Sequence, residues 1–282
     1  MYQIIDGKTV SAYVKQQVKD EVAKLSENGR VPALAVIIVG NDPASKVYVG
    51  NKKKACEMTG MKSVEYALDE STSEKELLDL IDKLNNDKEI NGILCQLPLP
   101  KHIDEDKIID AIAPEKDVDG FSAVNVGKIW LGKYEISPCT PMGVIELLDY
   151  YKIPLEGKNC VIVGRSNIVG KPMAALLLER NATVTVCHSR TKDLAAFTKN
   201  ADVIVAAVGR ANFITADMVK EGAVVVDVGI NRLDNGKLCG DVDFEAVKEK
   251  ASFITPVPGG CGPMTIAVLM KNTLVAYKNQ ND

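Results

Sequence analysis

Short apolar runs alternate with helix-periodic segments along most of the chain. Ala33 to Val39 and Gly92 to Leu97 are continuous apolar runs of strand length, and between them Ser73 and Glu76 have the spacing of a capping box at the start of a helix. Apolar runs of this kind, separated by helices, are typical of parallel strands that helices cover on both faces. The pattern predicts β-α-β-α-β for the first third of the chain and an α/β fold class.

A second series of the same kind starts at Asn159. Each of its runs ends near a glycine or a polar turn, as strands of a doubly wound sheet do where they open into ligand-binding loops. The predicted elements are a strand from Cys160 to Val163, a helix after Pro172, and strands from Thr183 to Cys187, from Val203 to Val208 and from Ala223 to Val228. The stretch from Pro114 to Pro141 has mixed polarity and is the expected connection between two domains.

Composition and charge exclude several classes of function. Of the 282 residues, 46% are hydrophobic and 26% charged, as in ordinary globular proteins, and 34 basic against 38 acidic residues give a net charge of −4. We therefore expect neither a nucleic-acid nor an anionic-membrane partner. The two histidines, His102 and His188, lie far apart, so no multi-histidine metal site is expected, and acid–base chemistry falls to Lys, Asp, Glu or Tyr.

The seven cysteines are scattered and form no C-x-x-C pair. We interpret them as reduced core thiols of a cytoplasmic protein. The N-terminal residues lack a basic segment followed by an apolar stretch, and the run from Ala33 to Val39 is far too short to span a bilayer.

A glycine turn follows the strand that ends at Val163. Gly164 and Gly170 enclose the turn, and a helix is expected to begin at Pro172, so free backbone N–H groups would face a bound phosphate. The spacing is not G-x-G-x-x-G, and a purely structural strand–turn–helix is an equal alternative. The next strand ends in Ser189 and Arg190 rather than in the acidic residue that usually holds an NAD ribose.

The absence of that acid predicts NADP rather than NAD. Ser189 can donate a hydrogen bond to a 2′-phosphate, and Arg165 or Arg190 can neutralise its charge. The alternative is that Arg190 is a solvated surface charge.

Three polar positions in the first half are candidates for chemistry. Tyr48 and Lys52 are i and i+4 on a probable helix, with Ser45 beside them, so a ring and an ammonium group could meet a flat heterocycle; a plain amphipathic helix is the alternative. Gln96 is an amide at the carboxyl end of an apolar strand and needs a partner, either a ligand, a lysine or another core group.

Two glycine-containing loops complete the set. Asp117 and Asp119 are paired carboxylates without a third hard ligand, which argues against a metal, although a single carboxylate could grip the N–H groups of a heterocycle. The segment from Thr255 to Pro263 is rich in Pro and Gly, so its backbone could approach a ligand closely, or it could be ordinary turn chemistry.

Taken together, these segments closely resemble the methylenetetrahydrofolate dehydrogenase/cyclohydrolase family. The matching blocks occur in order across nearly the whole chain, which makes the resemblance far more specific than any single motif. They are Ser45-x-x-Tyr48-x-x-x-Lys52, Gln96-Leu97-Pro98-Leu99-Pro100, Lys116-Asp117-Val118-Asp119-Gly120, Pro138-Cys139-Thr140-Pro141, Gly164-Arg165-Ser166-x-x-Val169-Gly170-Lys171-Pro172 and Thr255-Pro256-Val257-Pro258-Gly259-Gly260.

The resemblance implies two α/β domains with an active-site cleft between them. The N-terminal domain, residues 1–121, would be catalytic and bind folate, and residues 140–260 would be a Rossmann-type NADP-binding domain. The pattern leaves open whether the last helix, about 263–282, packs on the first domain or on the second. The implied reactions are oxidation of 5,10-methylenetetrahydrofolate by NADP+ and hydrolysis of the methenyl product to 10-formyltetrahydrofolate. The implied assembly is a homodimer.

The resemblance also assigns roles to residues. It makes Lys52 the central catalytic residue, with Gln96 as the partner that tunes its protonation, Tyr48 stacking on the folate and Asp119 gripping the pterin. Further implied substrate contacts are Leu97, Pro258, Gly259 and Gly260, and implied cofactor contacts are Thr140, Gly164, Arg165, Ser166, Ile168, Ser189 and Ile230. Cys261 stands where the family pattern has a small aliphatic residue, and its thiol is expected to make the site sensitive to thiol reagents.

Two rival hypotheses remain at this stage. A different Rossmann dehydrogenase, acting on an amino acid or a small hydroxy acid, would explain the second half but leave Tyr48, Lys52, Gln96 and Asp119 without a role. A non-catalytic nucleotide-binding regulator would bind the cofactor, and Lys52→Ala would change nothing measurable.

Overall fold

The chain forms two compact units in the computed structural model. The structure describes residues 2–26 and 29–281, apart from the side chains of Pro43 and Ala44, so the outermost positions of the predicted domain ranges, 1 and 282, lie outside it. The six-stranded unit combines the described residues up to Ser11 with Thr140–Thr265, and the three-stranded unit combines Ala12–Cys139 with the described residues from Ile266 onward. Both units contain helices and a parallel sheet, which confirms the α/β class.

The strands and helices alternate, but the first third has one strand and one helix more than the predicted β-α-β-α-β, because the strand Lys62–Leu68 is partly exposed and has no continuous apolar run. The strands are β1 (Gln3–Ile4), β2 (Ala33–Val39), β3 (Lys62–Leu68), β4 (Gly92–Cys95), β5 (Asn159–Val163), β6 (Thr183–Cys187), β7 (Val203–Ala206), β8 (Val224–Asp227), β9 (Asn231–Arg232), β10 (Leu238–Cys239) and β11 (Phe253–Ile254). The helices are α1 (Gly7–Ser26), α2 (Pro43–Thr59), α3 (Glu74–Asn86), α4 (Glu105–Ala111), α5 (Ala123–Trp130), α6 (Cys139–Tyr150), α7 (Gly170–Glu179), α8 (Leu194–Thr198), α9 (Phe244–Val247) and α10 (Cys261–Asn281).

The sheet of the three-stranded unit has the order β3-β2-β4, and both pairings are parallel. Every residue of the central strand β2 is buried, whereas the edge strand β3 is partly exposed. The predicted capping box is present: Ser73 and Glu76 each accept a hydrogen bond from the other's backbone N–H at the start of α3. Leu77 and Ile81 of α3 belong to the same buried cluster as β2 and β4, so this helix is held by its apolar face.

The sheet of the six-stranded unit has the order β1-β11-β8-β7-β5-β6, with every pairing parallel. Strand β5 lies between β6 and β7, so the connection after β5 leads to one side of this strand and the connection after β6 leads to its other side. Val163 at its end is in register with Cys187 and Ala206. The loops that follow β5, β6 and β7 therefore open at one edge, around a topological switch point where such sheets bind ligands.

The apolar pattern does not predict two features of the fold. Strand β1 pairs with β11, so Gln3 lies opposite Phe253, and β9 and β10 form a two-stranded antiparallel hairpin. Helix α10 begins at Cys261, two residues before the predicted start of the last helix. Among the described residues no helix combines the length and the apolar character needed to cross a membrane.

Candidate active site

Helix α2 carries the predicted aromatic–lysine pair. Its start is fixed by Asp42, whose side chain accepts a hydrogen bond from the Ser45 backbone N–H at 2.7 Å, and its end by Gly60 at a φ of 77°. Tyr48 and Lys52 lie one turn apart, as predicted, but their environments differ. Tyr48 is 42% exposed, whereas Lys52 is only 8% exposed. The helix thus offers an accessible ring next to a buried amine.

The buried amine has one short side-chain hydrogen bond. Lys52 Nζ donates to Gln96 Oε1 at 2.7 Å, and Gln96 Nε2 donates to the Leu97 carbonyl at 2.7 Å. The Gln96 backbone N–H donates to Ile37 O at 2.8 Å, at the end of β4 beside β2. Because the amide nitrogen is committed to Leu97, the amide oxygen must face the lysine. Of the alternatives for Gln96, the structure selects a lysine partner.

Burial shifts the pKa values of two side chains at this site. It lowers the pKa of Lys52 below the ordinary lysine value, while the nearby Asp119, Cys139 and Cys95 act in the opposite direction. Burial also raises the pKa of Asp119, and Lys52 opposes that shift. Both shifts bring the protonated and unprotonated forms closer in free energy than in water. Lys52 and Asp119 are therefore suited to proton exchange and to hydrogen bonding with a heterocycle.

The two carboxylates of the Asp-rich loop have different surroundings. Asp117 is 2% exposed and accepts hydrogen bonds from the Gly120 and Ser122 backbone N–H groups at 3.0 and 2.8 Å and from Asn125 Nδ2 at 3.1 Å. Its oxygens are thus used to hold the loop. Asp119 is only partly buried and lies within the electrostatic range of Lys52, which leaves it as the carboxylate available to a ligand.

Cys139 and Asn272 form hydrogen bonds with the backbone of this loop. Cys139 Sγ donates to Val118 O at 3.4 Å, and Asn272 Nδ2 donates to the same carbonyl at 2.9 Å and to Ser137 O at 2.8 Å. Burial raises the pKa of the Cys139 thiol well above its usual value, with the negative charge of Asp119 adding to the effect. Cys139 has no predicted role beyond its place in the block Pro138 to Pro141, and Asn272, more than a hundred residues away, carries no local signal.

The cavities of the three-stranded unit are unequal in size. A groove of about 660 Å³ lies along the other flank of α2, where Lys46, Gly50 and Glu65 are among its lining residues. A small pocket of about 10 Å³ is lined by Leu97 and Asp119, among others. The structure therefore brings Lys52, Gln96, Leu97 and Asp119 together, and the larger groove is separate from them.

The glycine turn after β5 is built for close approach of backbone to a ligand. Gly164 has a φ of 138°, and a Cβ at this position would overlap the carbonyl oxygen of Ala207. A Cβ at Gly170 would overlap the carbonyl oxygen of Gly164. Ser166 Oγ accepts hydrogen bonds from the Val169 and Gly170 N–H groups at 3.2 and 3.3 Å. The compact turn opens directly into α7, and this arrangement fits the phosphates of a dinucleotide.

Several side chains at the edge of the six-stranded sheet where β5, β6 and β8 end are accessible to a cofactor. Arg165, Ser166 and Ser189 are exposed, so two hydroxyl groups and a cation are free to meet an anionic ribose phosphate. Ile168 and Ile230 are 43% and 48% exposed, which is unusual for isoleucine and suited to contacts with flat rings. The donor set fits NADP, since the turn directly after β6, His188 to Thr191, includes no acid that would repel a 2′-phosphate.

The turn after β6 is ordered by its own residues. The His188 backbone N–H donates to Thr191 Oγ1 at 2.8 Å, and the Arg190 N–H donates to His188 Nδ1 at 3.1 Å. His188 thus shapes the turn that presents Ser189. Thr140, at the start of α6, shares a hydrogen bond of 2.9 Å with the Thr265 hydroxyl, so its position is fixed within the six-stranded unit.

The Pro- and Gly-rich loop lies after β11. Gly259 has a φ of 109°, and a Cβ at Gly7, the first residue of α1, would overlap the carbonyl oxygen of Gly260. The start of α1 therefore packs on the backbone of the predicted substrate loop, Pro258 to Gly260. All four of these positions belong to the six-stranded unit.

Comparisons with known proteins give the chain its family. Residues 5–119 match the catalytic domain of tetrahydrofolate dehydrogenase/cyclohydrolase, and residues 138–281 match the NAD(P)-binding domain of the same enzymes. The bifunctional protein FolD of Agathobacter rectalis is 62% identical over 278 residues, covering 99% of this chain and all of that protein.

Two solved structures are similar over the full length. The bifunctional FolD methylenetetrahydrofolate dehydrogenase/cyclohydrolase of Campylobacter jejuni is 54% identical with a TM-score of 0.97, and 99% of each chain is covered. The Trypanosoma brucei enzyme, solved with NADP cofactor and an inhibitor, is 37% identical with a TM-score of 0.94 and coverages of 99% and 98%. With both domains matched in order, the chain belongs to the tetrahydrofolate dehydrogenase/cyclohydrolase family.

Proposed function

We propose that Lys52 is the residue on which the hydrolytic reaction of this enzyme depends, and that Gln96 orients it. The chain is a bifunctional enzyme of one-carbon metabolism: it oxidises 5,10-methylenetetrahydrofolate to the methenyl form with NADP+ and hydrolyses that product to 10-formyltetrahydrofolate. The observation that carries the proposal is the 2.7 Å hydrogen bond between buried Lys52 and Gln96.

The chemistry of the hydrolysis matches a lysine with a lowered pKa. A lysine at its ordinary pKa of about 10.4 is almost fully protonated at neutral pH and cannot accept a proton. Burial lowers the pKa of Lys52, and a bound methenyl cation would lower it further by charge repulsion. The neutral amine then takes a proton from water as the water adds to the one-carbon bridge. The bond from that carbon to N5 of the folate subsequently breaks, with N5 taking up a proton and the carbinol oxygen losing one as it becomes the formyl carbonyl.

The remaining residues of this cluster bind the substrate. Asp119, partly buried with a raised pKa, forms hydrogen bonds with the amino and ring N–H groups of the pterin, and burial makes these bonds stronger than in water. The exposed ring of Tyr48 stacks on the folate. Leu97 lies beside Asp119 and supplies an apolar contact.

The oxidation depends on positioning. NADP+, when bound, accepts the hydride from the one-carbon bridge, so the protein must hold its nicotinamide and exclude competing reactions. The turn containing Gly164 and Ser166 receives the phosphates, and Arg165 and Ser189 bind the ribose 2′-phosphate. Thr140, Ile168 and Ile230 contact the rest of the cofactor. The accessibility of the exposed members of this set and the compact glycine turn support these assignments.

Assembly and location complete the proposal. We infer a homodimer, on the basis of family membership, and sedimentation at micromolar concentration tests it: a monomer would contradict the inference. The seven cysteines are all free thiols, which supports a reducing compartment such as the cytoplasm.

The direct test separates the two reactions. Purified protein is supplied with 5,10-methylenetetrahydrofolate and either NADP+ or NAD+, and reduced nicotinamide and the methenyl chromophore are followed separately. We expect reduction with preference for NADP+ and only transient accumulation of the methenyl form. If no nicotinamide is reduced, the proposed dehydrogenase activity is contradicted. If the methenyl product persists, the proposed cyclohydrolase activity is contradicted.

A further inference from the structure

Two buried carboxylates lie beneath the loops that follow β7 and β8. Asp241 is fully buried and Asp227 is 2% exposed. Neither carboxylate belongs to the residues assigned to substrate or cofactor. Buried carboxylates are costly unless hydrogen bonds satisfy them, so their partners indicate what they do.

Asp241 binds three consecutive backbone N–H groups. Its Oδ2 accepts from Val208 and Gly209 at 2.6 and 2.9 Å, and its Oδ1 accepts from Arg210 at 2.9 Å. The fourth donor is Asn231 Nδ2, at 2.9 Å from Oδ1. Gly209 has a φ of 68°, and the three N–H groups together form a concave anion-binding nest. The carboxylate therefore occupies the nest and fixes the loop after β7.

Asp227 binds the backbone of the loop after β8 and of the segment that contains Asp241. It accepts hydrogen bonds from the Gly229 N–H at 2.9 Å, from the Asp241 N–H at 3.0 Å and from the Val242 N–H at 2.9 Å. A Cβ at Gly229 would overlap the carboxylate of Asp241, and a Cβ at Gly240 would overlap that of Asp227. Burial raises the pKa of Asp227 to about 6, so at neutral pH it is mostly the ionised acceptor that these donors require.

The loops held in this way border the cofactor edge of the sheet. Ala207, directly before the nest, is the residue whose carbonyl oxygen excludes a side chain at Gly164. Ile230 lies between Gly229 and Asn231, each of which contacts one of the two carboxylates. One wall of the switch-point crevice, where such sheets bind ligands, is thus held by Asp241.

We propose that Asp241 is a positioning residue for NADP+: it holds the loop Val208 to Arg210 and, through Asn231, the loop of Ile230 in the geometry that binds the cofactor. The inference rests on the proposed cofactor role of this edge. Both carboxylate oxygens accept two hydrogen bonds, so an asparagine would turn its own N–H₂ group toward backbone N–H donors. The nest therefore requires a carboxylate rather than an amide.

The two activities of the enzyme provide an internal control for the test. Hydrolysis of supplied methenyltetrahydrofolate needs no nicotinamide, so a loss of cofactor positioning affects only the oxidation. For Asp241→Asn we expect the KM for NADP+ to rise at least tenfold, with cyclohydrolase kcat and KM within twofold of the parent. An unchanged KM for NADP+, or an equal fall of both activities in folded protein, would overturn the proposal.

A milder variant keeps the test decisive where Asp241→Asn does not fold. Asn231→Ala removes one of the four donors and should raise the KM for NADP+ about threefold to tenfold, again without loss of hydrolysis. Asp243→Asn is the matched control: this carboxylate lies two residues away and accepts from the Ala246 N–H, at the start of α9. It should leave the KM for NADP+ unchanged.

The parent protein separates this inference from the proposed function. If the parent shows both activities and Asn231→Ala leaves the KM for NADP+ unaltered, the positioning role is wrong while the function stands. If the parent itself fails to reduce NADP+, the proposed function is wrong, whatever the variants do.

Discussion

At the scale of single residues, the properties of this site depend on what surrounds each polar group. Lys52 and its neighbour Lys53 are adjacent in sequence, yet one is buried against Gln96 and the other is exposed. Asp117 and Asp119 are two residues apart, yet Asp117 is buried and accepts hydrogen bonds from two backbone N–H groups and from Asn125, whereas Asp119 is partly exposed. Each pair consists of two residues of the same type, so sequence alone does not distinguish its members. Only the packing around each side chain shows which one is buried and which one is more exposed.

The role of Lys52 leads to the first prediction. Lys52→Met should lower cyclohydrolase activity by about 10²- to 10⁴-fold, the usual size of a general acid–base contribution, while the dissociation constant for NADP+ stays unchanged. Stopped-flow hydrolysis and cofactor titration measure the two quantities. Lys53→Met is the matched control and should keep both. Weakened NADP+ binding in Lys52→Met would contradict the separation of hydrolysis from cofactor binding.

The same lysine links stability to pH. Its folded pKa is lowered by burial, so between that value and the unfolded value of about 10.4 the unfolded chain binds more protons. The contribution of Lys52 to the free energy of unfolding must therefore rise with pH across this window. Lys52→Met should lack that rise, which denaturant unfolding at several pH values would reveal.

Gln96 offers a second prediction with a defined sign. In Gln96→Glu a carboxylate would face Lys52 Nζ at the 2.7 Å distance of the present hydrogen bond, and an ion pair raises the pKa of a lysine. The rising limb of the cyclohydrolase pH profile should move up by about one unit or more. The exposed Gln17→Glu carries the same charge change and should leave the profile in place. A downward shift in Gln96→Glu would show that the glutamine does not set the protonation of the lysine.

Cofactor preference is the third prediction at this scale. Ser189→Asp places a negative charge at the turn after β6, where we assign the 2′-phosphate. The carboxylate should repel that phosphate and raise the KM for NADP+ by about tenfold or more, with a smaller effect on NAD+. Steady-state dehydrogenase kinetics with each cofactor provide the measurement. Equal losses for the two cofactors would place the 2′-phosphate elsewhere.

At the scale of elements, loops are held in place by elements distant in sequence. The start of α1 supports the Pro258 to Gly260 loop, because the backbone of Gly260 leaves no room for a side chain at Gly7. Ile93 at β4 bonds to the loop before Asp117, through a 2.7 Å hydrogen bond from its N–H to Lys116 O. The glycines and short bonds at these contacts fix where each loop can lie.

The contact at Gly7 can be tested. Gly7→Ala should lower the free energy of unfolding by about 1–3 kcal/mol, since the added methyl group overlaps backbone that cannot rotate away. It should also raise the KM for 5,10-methylenetetrahydrofolate if the displaced loop lines the substrate. Gly127→Ala in α5 is the matched control: its Cβ would meet no atom within 4 Å. Thermal unfolding that ranks the two variants alike would contradict this packing argument.

The sequence predicted most strands of the two sheet cores but few of the hydrogen bonds and backbone contacts that hold the loops in place. Apolar runs located β2 and β5 because buried parallel strands are apolar on both faces. Strand β6 was predicted over the same residues, although it is a partly buried edge strand in which Thr and Val alternate. Strand β4 ends at Cys95, before the predicted Leu97, where the chain runs into Pro98 and Pro100, which have no backbone N–H to continue the ladder. The predicted β7 is likewise longer than the observed strand, because the Val208 N–H donates to Asp241 instead. Such partners are remote in sequence and have no periodic signal.

At the scale of the whole molecule, the cysteines are almost entirely withdrawn from solvent. Six of the seven are buried and Cys239 is partly exposed. Burial raises the pKa of Cys56 to about 11 and that of Cys95 and Cys160 to about 12. Cys261 is also buried with a raised pKa, which argues against the reactive thiol that its position in the sequence predicts.

This distribution predicts the response to thiol reagents. At neutral pH the native protein should react slowly, at Cys239 first, and dehydrogenase activity should persist while that single thiol is modified. Unfolding should release seven reactive thiols. Mass spectrometry of timed samples gives the order of labelling, and Cys239→Ser should lose the first label. Early labelling of Cys261 with loss of activity would contradict the burial argument.

The pairing of β1 with β11 bears on how the polypeptide is made. About 250 residues separate Gln3 from Phe253, its partner in the sheet. A ribosome adding residues one at a time releases β1 long before its partner exists. The edge of the large sheet is therefore completed only after β11 has emerged, and until then β1 offers unpaired N–H and C=O groups that a chaperone must cover or that water must solvate.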